Sequence, residues 1–597
     1  MFFLKPADEK MKCFDFEKIF FLCVFFFVSQ ISFAAEKAGR GAQTLIPPRH
    51  WIYDSLQVLE QESGIVQFSD QAPLTIAQIR SMLSEIEYED LSAAGKNHYD
   101  NIFDFFDEKN FSAQASIMQA RIEPEANLEG FFKTNDDVPW VYDRFEKKNF
   151  LELPITLGVG DYAAFFVDVI AALNKTAKGA SDIYFNLPLG SSDFDVNFPH
   201  DAYGSLGVMF TESVGMNFRI SNMAQNFGRA ETGSIIQSEF LSDATAASLS
   251  IFSPIVQYTA GLTQFNTNRY MYSHKVDIRI GKKKKFQISV MEACLPYGPM
   301  DLRFFNPMMF FHGYASWLDY QAEGSDVGSF VALKMNYAPT KFLRLYALWS
   351  MTQFQLPVEL NDDDMDDDNY VPNAMGWQAG AESYIPLGAG HLHLNLEGYY
   401  AQPYLYINSS PNWSFVRTSS ESNGSDDFYE WLGTRYGPDT IAATFCASYE
   451  VPKKWSAGFK YLFLARGELS DPDIFKKVGW GPRVLDIGND NVDDYLSQNW
   501  VYPRAEGSNK YRNGRNFVAP SGKNPEFVNV ISLSGNYCFK PWLEFFAQSA
   551  LAIVSNSGHE KGKTEVSFEC ALSARFKFAK MKSKRRHDKK VNEQAVL

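Results

Sequence analysis

Apolar residues occupy every second position near the end of this chain: Val566, Phe568, Cys570, Leu572, Ala574, Phe576 and Phe578. Successive side chains of a strand point to opposite faces, so this segment has one unbroken apolar face. Its charges, Glu569, Arg575 and Lys577, all fall on the other face. An aromatic-ended strand of this kind suits the closing strand of an outer-membrane β-barrel. The edge of a soluble β-sandwich would show the same alternation.

The rest of the chain bears on that choice. His391 to Glu397 sets Leu392, Leu394 and Leu396 against His391, His393, Asn395 and Glu397. Lys275 to Ile280, Phe150 to Leu157 and Trp455 to Tyr461 alternate in the same way. In a sandwich the charged face meets water and the apolar face is buried. In a barrel the apolar face meets lipid and the charges face a wet lumen. Periodicity does not separate the two, but the connections do. Tight Pro- or Lys-rich turns stand at 281–285, 338–340, 385–388, 451–454 and 539–541. Long connections lie near 175–201, 222–243, 294–326, 356–372, 403–440 and 464–526. Short turns on one side and long loops on the other are the organisation of an outer-membrane barrel. If 565–578 ends in the periplasm, the tight turns are periplasmic and the count is about 18 strands over 124–578, an even number. The 52 Phe, 29 Tyr and 11 Trp, with a mean hydropathy of −0.25, fit such a wall better than several soluble cores.

The N-terminus predicts export. Lys10, Lys12 and Lys18 precede the apolar run Ile19 to Val28, and Ser32-Phe-Ala34 offers a small-x-small cleavage site. Residues 1–34 then form a signal peptide and the mature chain starts at Ala35, with Met11 as a possible start codon. Cys23 lies inside the apolar run, which disfavours a lipid anchor there. Beyond it no run reaches about 18 apolar residues, so helical membrane spans are excluded. Cys294, Cys446, Cys538 and Cys570 show neither zinc spacing nor a disulfide framework. A net charge of −15 argues against a nucleic-acid partner.

Residues 48–107 read differently. Ile52, Leu56 and Leu59 share a helical face, Thr75 and Gln78 form a capping box before Ile76, Ile79, Leu83 and Ile86, and Tyr99, Ile102, Phe103 and Phe106 mark a third helix. Roughly 60 residues make only a marginal bundle, so this periplasmic module is expected to dock on the barrel.

Asp362, Asp363, Asp364, Asp366, Asp367 and Asp368 offer a hard cation such as calcium many oxygens, though a solvated loop tip has the same composition. Asp362, Asp364 and Asp366 are the candidate ligands of a weak divalent site; no other cofactor is indicated. His391 and His393 share a strand face, as a metal pair or as polar lumen lining. Tyr404, Tyr406, Trp413 and Trp500 lie in long loops beside polar residues, the mixture that stacks on sugars, and equally the mixture that anchors loops over a barrel mouth. G-x-S-x-G, H-E-x-x-H and phosphate-loop motifs are missing, so no catalytic residue is nominated. The basic tail 579–597, with Lys580 to Arg586 at its start, reads as a solvated extension able to touch peptidoglycan or anionic lipid.

Three stretches together resemble the capsule-assembly (Wzi-type) outer-membrane barrel family. They are Trp51 to Leu83 with Pro73-Leu-Thr-Ile-Ala-Gln-Ile-Arg80, Asn226-Phe-Gly-Arg-Ala-Glu-Thr-Gly233 running on to Asp243, and Phe304-Phe-Asn-Pro307. Their order fits across residues 50–578. The resemblance implies an all-β transmembrane antiparallel barrel of about 18 strands with a periplasmic helical part, and localisation in the cell outer membrane. It also implies a non-enzymatic role of binding or organising surface polysaccharide. Surface polysaccharide, outer-membrane lipid and the barrel assembly machinery are the implied partners. Arg229, Gly233, Asn306 and Pro307 are the positions it carries over, so Arg229 and Asn306 join Tyr404, Trp413 and Trp500 as candidate ligand residues. A substrate-selective, porin-like channel lined by Lys275, Asp277, Arg279, His391 and His393 is the alternative.

Overall fold

The computed structural model describes residues 39–109, 112–138, 149–173, 185–187, 194–195, 201–242, 244–311, 327–353, 373–408, 410–420, 427–471, 474–477, 480 and 518–578. The expected signal peptide, the Asp362–Asp368 tract, Trp500 and the basic tail lie outside these residues.

Eighteen antiparallel strands close a barrel. In chain order they are β1 (Glu125–Lys133), β2 (Leu151–Val159), β3 (Ala163–Leu173), β4 (Ala202–Met209), β5 (Gly215–Asn222), β6 (Thr245–Phe252), β7 (Val256–Asn266), β8 (Arg269–Ile280) and β9 (Phe286–Pro296). The second half comprises β10 (Val327–Thr340), β11 (Leu343–Gln353), β12 (Ala374–Leu387), β13 (Gly390–Ala401), β14 (Thr440–Val451), β15 (Trp455–Arg466), β16 (Glu526–Lys540), β17 (Leu543–Ser555) and β18 (Thr564–Lys577). The strand singled out by its alternation closes the ring: β18 pairs with β1 from Glu569↔Lys133 to Lys577↔Glu125.

The alternation resolves as the barrel reading requires. Leu249, Ile251, Ile278, Ile280, Leu396, Phe568 and Leu572 are exposed on the outer wall, while Asp277, Lys334, Gln378, Glu397 and Glu569 turn inward and are buried. The order is inside-out relative to a soluble sandwich, because lipid rather than a core receives the apolar face.

Two expectations need correction. The sheet begins before residue 124: a hairpin of Ser112–Ala115 and Met118–Ile122 precedes β1, and its second arm pairs with β2 from Met118↔Val159 to Ile122↔Ile155. β1 itself meets β2 at only two positions, Glu125↔Glu152 and Ala126↔Leu151. Pro124 stands at the handover, where its missing N–H breaks the ladder. The outer connections are also not all long. β7 and β8 are joined by a tight turn at Thr267 and Asn268, with Asn268 at φ 60°.

The helical module contains α1 (Trp51–Ser63), α2 (Ile76–Leu83) and α3 (Ala93–Phe106). Gly64 ends α1 at φ 68° and ψ 34°, a left-handed conformation that side chains resist, and a Cβ there would press on Lys341 at 3.2 Å. The Thr75–Gln78 capping box opens α2 as expected. Ile52, Leu56, Leu59, Ile76, Ile79, Leu83, Ile102 and Phe106 share one buried cluster. The module does not sit under the barrel; it enters it. Val66 N–H donates to the Lys284 carbonyl at 2.8 Å and Phe342 N–H to the Gln61 carbonyl at 2.7 Å, which places it at the tight-turn end.

Candidate functional site

The inward side chains of β7 to β13 meet two plugs. The first is the N-terminal module. The second is the connection between β5 and β6, described at residues 223–242 and 244, which folds down into the lumen from the opposite end. Ala72 and Asn226 join them by a two-way backbone bridge, with N···O distances of 3.0 and 2.9 Å.

Charged groups hold this junction to the wall. Lys334 on β10 contacts Asp70 of the module and Asp277 of β8, the latter at 3.1 Å. Asp277 also accepts from Ser69 at 2.8 Å, Gln71 at 2.7 Å and Ser289. Arg344 donates to Glu382 at 3.1 Å and to the Arg229 carbonyl at 2.9 Å. Arg229, on the second plug, pairs with Asp54 of α1, and its N–H donates to Asp70 at 3.2 Å. Glu397 of β13 accepts from the amides of Glu231 and Thr232 at 2.8 and 3.2 Å and from Gln378 at 3.1 Å. A pore leaves its lumen charges wet; here Lys334 and Asp277 are both 0 % exposed and each is paired, as buried charges must be.

Above this polar zone the lumen is apolar. Phe227, Ile235 and Ile236 of the second plug pack with Met291, Phe330 and Leu348 on one side and with Leu464, Val530 and Ala552 on the other. The core therefore crosses the barrel from β9 to β17. The described residues of loop 402–439 cover it, and among them Val416–Ser420 pairs with Asp427–Trp431 as a hairpin.

The sequence-predicted residues do not gather into one site. Arg229 lies at the plug junction, where its partners are structural. Gly233 has φ 87°, and a Cβ would meet Ser238 Oγ at 2.6 Å and Phe240 at 2.7 Å, which accounts for glycine at that tight turn. Tyr404 is 7 % exposed and Tyr406 0 % exposed, so their rings belong to the cap's core and are not offered to solvent. The cause is area: large rings over a barrel mouth are worth more buried than wet. Trp413 is half-buried, on a 3₁₀ turn that Arg269 grips through the carbonyls of Asn412, Ser414 and Val416 at 2.5–2.9 Å. Asn306 is exposed on the barrel's outer wall, where its Oδ1 accepts from Met308 N–H at 3.1 Å; it does not face the mouth. Asp362, Asp364, Asp366 and Trp500 fall outside the described residues. His391 and His393 line the lumen, bonded to Glu62 at 2.6 Å and Glu382 at 3.2 Å. Among the described residues no cluster of His, Cys, Asp and Glu is arranged to hold a metal. Lys334, Arg344 and Glu382 escaped the sequence reading, and Glu397 was placed only on the polar face of its strand. Their only signal was a charge at an inward strand position, which says nothing of its partner.

The module carries shifted carboxyls. Burial pushes Asp70 up, but Lys334 and Arg344 beside it hold it below the usual range. Burial pushes Glu60 up to about 7, against the pull of Arg344 and the Gln67 amide. Glu60 lines a gap of about 10 Å³ with Gln57, Gln67, Asp70 and Arg344, room for about one water. Between 4.5 and about 7 the unfolded chain has ionised Glu60 while the folded one has not, so stability falls as pH rises through that window. Glu60→Gln removes this slope. Its stability relative to the parent is expected to rise by about 3 kcal/mol from about pH 4 to pH 8. His98, pushed by burial down to about 3, contributes the opposite slope, stability lost as pH falls below 6.5, and it does so in both proteins. Unfolding at matched pH values checks the difference; a constant offset refutes it.

No protein-family model matches the chain, and no curated protein matches it. Solved structures do. Wzi, an outer-membrane protein involved in group 1 capsule assembly in Escherichia coli and described as a carbohydrate-binding β-barrel, aligns over 89 % of this chain and 99 % of its own, at TM-score 0.52 and 11 % identity. The protein is an outer-membrane β-barrel. The channel DcaP of Acinetobacter baumannii aligns over 78 % of this chain and 99 % of its own, at TM-score 0.29 and 10 % identity. OprD of Pseudomonas aeruginosa aligns over 78 % of this chain and 96 % of its own, at TM-score 0.37 and 10 % identity. At such identities the likeness concerns the fold alone.

Proposed function

We propose that this barrel is a non-enzymatic surface element that binds or organises polysaccharide. The observation that carries the reading is the filled lumen: paired charges at the plug junction and an apolar core above it leave the outer loops as the working surface. Trp413 stands on that surface on a turn fixed by Arg269, and Trp500 belongs to the neighbouring long connection. The likeness to Wzi supports the same direction. In this reading the Asp362, Asp364 and Asp366 tract tunes glycan contact through a divalent cation of the calcium class. Stacking on a sugar contributes on the order of 1 kcal/mol per ring. Replacing both Trp413 and Trp500 by Ala should therefore weaken retention on surface polysaccharide by about 30-fold. Purified protein on immobilised polysaccharide, with heat-modifiability as the folding control, reads the effect. Undiminished retention would refute the reading.

One observation favours the channel. Along β15 to β18 the inward residues near the tight-turn end, Lys460, Ser534, Asn536, Glu544 and Arg575, are only half-buried. A selective path would run past them.

A further inference from the structure

Residues 297–311, which follow β9, do not turn over the barrel mouth. They run down the outside of the wall. Phe304 and Phe311, 2 % and 1 % exposed, pack on Tyr272 and Cys294, with Leu262, Tyr270, Met309 and Val327 around them. These wall residues share the outward face of Ile278 and Val290, which are 41 % and 44 % exposed. Met271, Met291 and Ala293, one position away on the same strands, belong to the interior core. The cluster is therefore external.

The segment descends far. Its top is tied where Gly298 N–H donates to the Asn268 carbonyl at 2.8 Å. Lower down, Phe311 covers His274 with ring centroids 4.3 Å apart, and the Tyr258 hydroxyl donates to the Pro307 carbonyl at 3.4 Å. A tilted strand climbs about 2.6 Å of membrane height per residue, so His274 lies about 16 Å above Ile280, inside an apolar belt of about 25 Å. His274 faces Glu292 across the β8–β9 ladder on the same outward face. Ionisable groups facing lipid at that depth cost several kcal/mol. Phe311 of the flap lies over His274.

Apart from Asn306, its most exposed side chains are apolar. Leu302 and Met308 are each 84 % exposed, Phe310 81 %, Met300 58 % and Phe305 49 %. Its backbone is also suited to a dry medium. The amides of Asp301, Arg303, Phe304, Met308 and Met309 donate within the protein, and Pro299 and Pro307 have no amide to satisfy. Arg303, the flap's cation, is neutralised by Asp301 through two parallel bonds of 3.0 and 2.6 Å. Irregular backbone is excluded from lipid because its polar groups go unpaired, and these five paired amides and the two prolines reduce that cost.

We propose that residues 300–310 form a lipid-embedded flap whose Met300, Leu302, Phe305, Met308 and Phe310 side chains lie among the acyl chains around the barrel. The occupant is lipid because the flap's apolar surface is continuous with the belt at Val256, Ile278 and Val290. The proposal stands apart from glycan binding.

Phe310→Trp and Leu302→Trp test it separately. Each is reconstituted in phosphatidylcholine vesicles with plain or brominated acyl chains, and the emission added over the parent's own Trp is followed. Brominated chains should remove roughly half or more of the added emission in each variant, while aqueous iodide removes little of it. Quenching by iodide but not by bromine would place the flap in water and overturn the proposal. Protection from both quenchers, with chemical cross-linking to a dimer, would mean a second copy covers the flap, and would overturn it equally. Heat-modifiability confirms folding of each variant, and either one alone suffices.

Discussion

Lys334→Met is expected to destabilise the folded barrel by about 3–5 kcal/mol, since removing one member of a buried ion pair strands the other charge without water. Lys334 is 0 % exposed, and both carboxylates it serves, Asp70 and Asp277, are enclosed with it. Methionine fills the space beside Phe227, whose ring lies 4.6 Å from the ammonium, but supplies no charge. Two carboxylates from the module and the wall would then face each other. The second replacement Asp277→Asn should recover part of the loss, because the remaining amide keeps hydrogen-bonding capacity towards Ser69 and Gln71. Lys453→Met is the surface comparison. Its partner Asp104 is 3.6 Å away with both side chains more than half exposed, and such pairs contribute about 0–1 kcal/mol. Urea unfolding in detergent, followed by loss of heat-modifiability, measures all three. Equal effects for Lys334→Met and Lys453→Met would show that the buried junction does not hold the module in place.

The second large effect concerns conduction. The parent protein should be nearly silent in planar bilayers. Deleting residues 40–107 should leave it so, because the core of Phe227, Ile235, Phe330 and Leu348 still crosses the upper lumen. Replacing residues 226–241 by a short Gly-Ser link in that deletion background removes the second plug as well. Conductance should then rise at least about tenfold, since a ring of 18 strands encloses an aqueous lumen once nothing fills it. A large steady conductance of the parent would favour the channel along β15 to β18. Silence after both removals would show that the cap of residues 402–439 closes the barrel unaided.

The wall was legible because its cause is local. Lipid on one side and a polar interior on the other impose a period of two on each strand, and that period is written in Val566 to Phe578 and Leu392 to Leu396 without reference to any other segment. Tight turns carry their own chemistry in Pro, Gly and Lys, so the even strand number followed as well. The helices of the module announced themselves through the Thr75–Gln78 box and the Ile76, Ile79, Leu83 stripe for the same reason.

What occupies the lumen depends on contacts between residues well over a hundred positions apart. Glu62 meets His391, Asp70 meets Lys334 and Ile235 meets Tyr406, and no spacing along the chain records these pairs. Lys275, Asp277 and His391 therefore had the same pattern whether they lined water or a plug. An inward charge looks alike in sequence when it is wet and when it is paired, because periodicity specifies the face of a strand and not what stands opposite. The aromatic residues of the loops share this ambiguity: Tyr404 and Tyr406 are sunk in the cap while Trp413 is half-buried. Asn306 and its neighbours read as one more outer loop, and only the packing of Phe304 and Phe311 on Tyr272 turned that loop down the outside of the wall. Local patterning was enough for the barrel, its even number of strands and its helical module; that the barrel is filled follows from packing, since burial and charge pairing belong to the partners a side chain meets and not to its place in the chain.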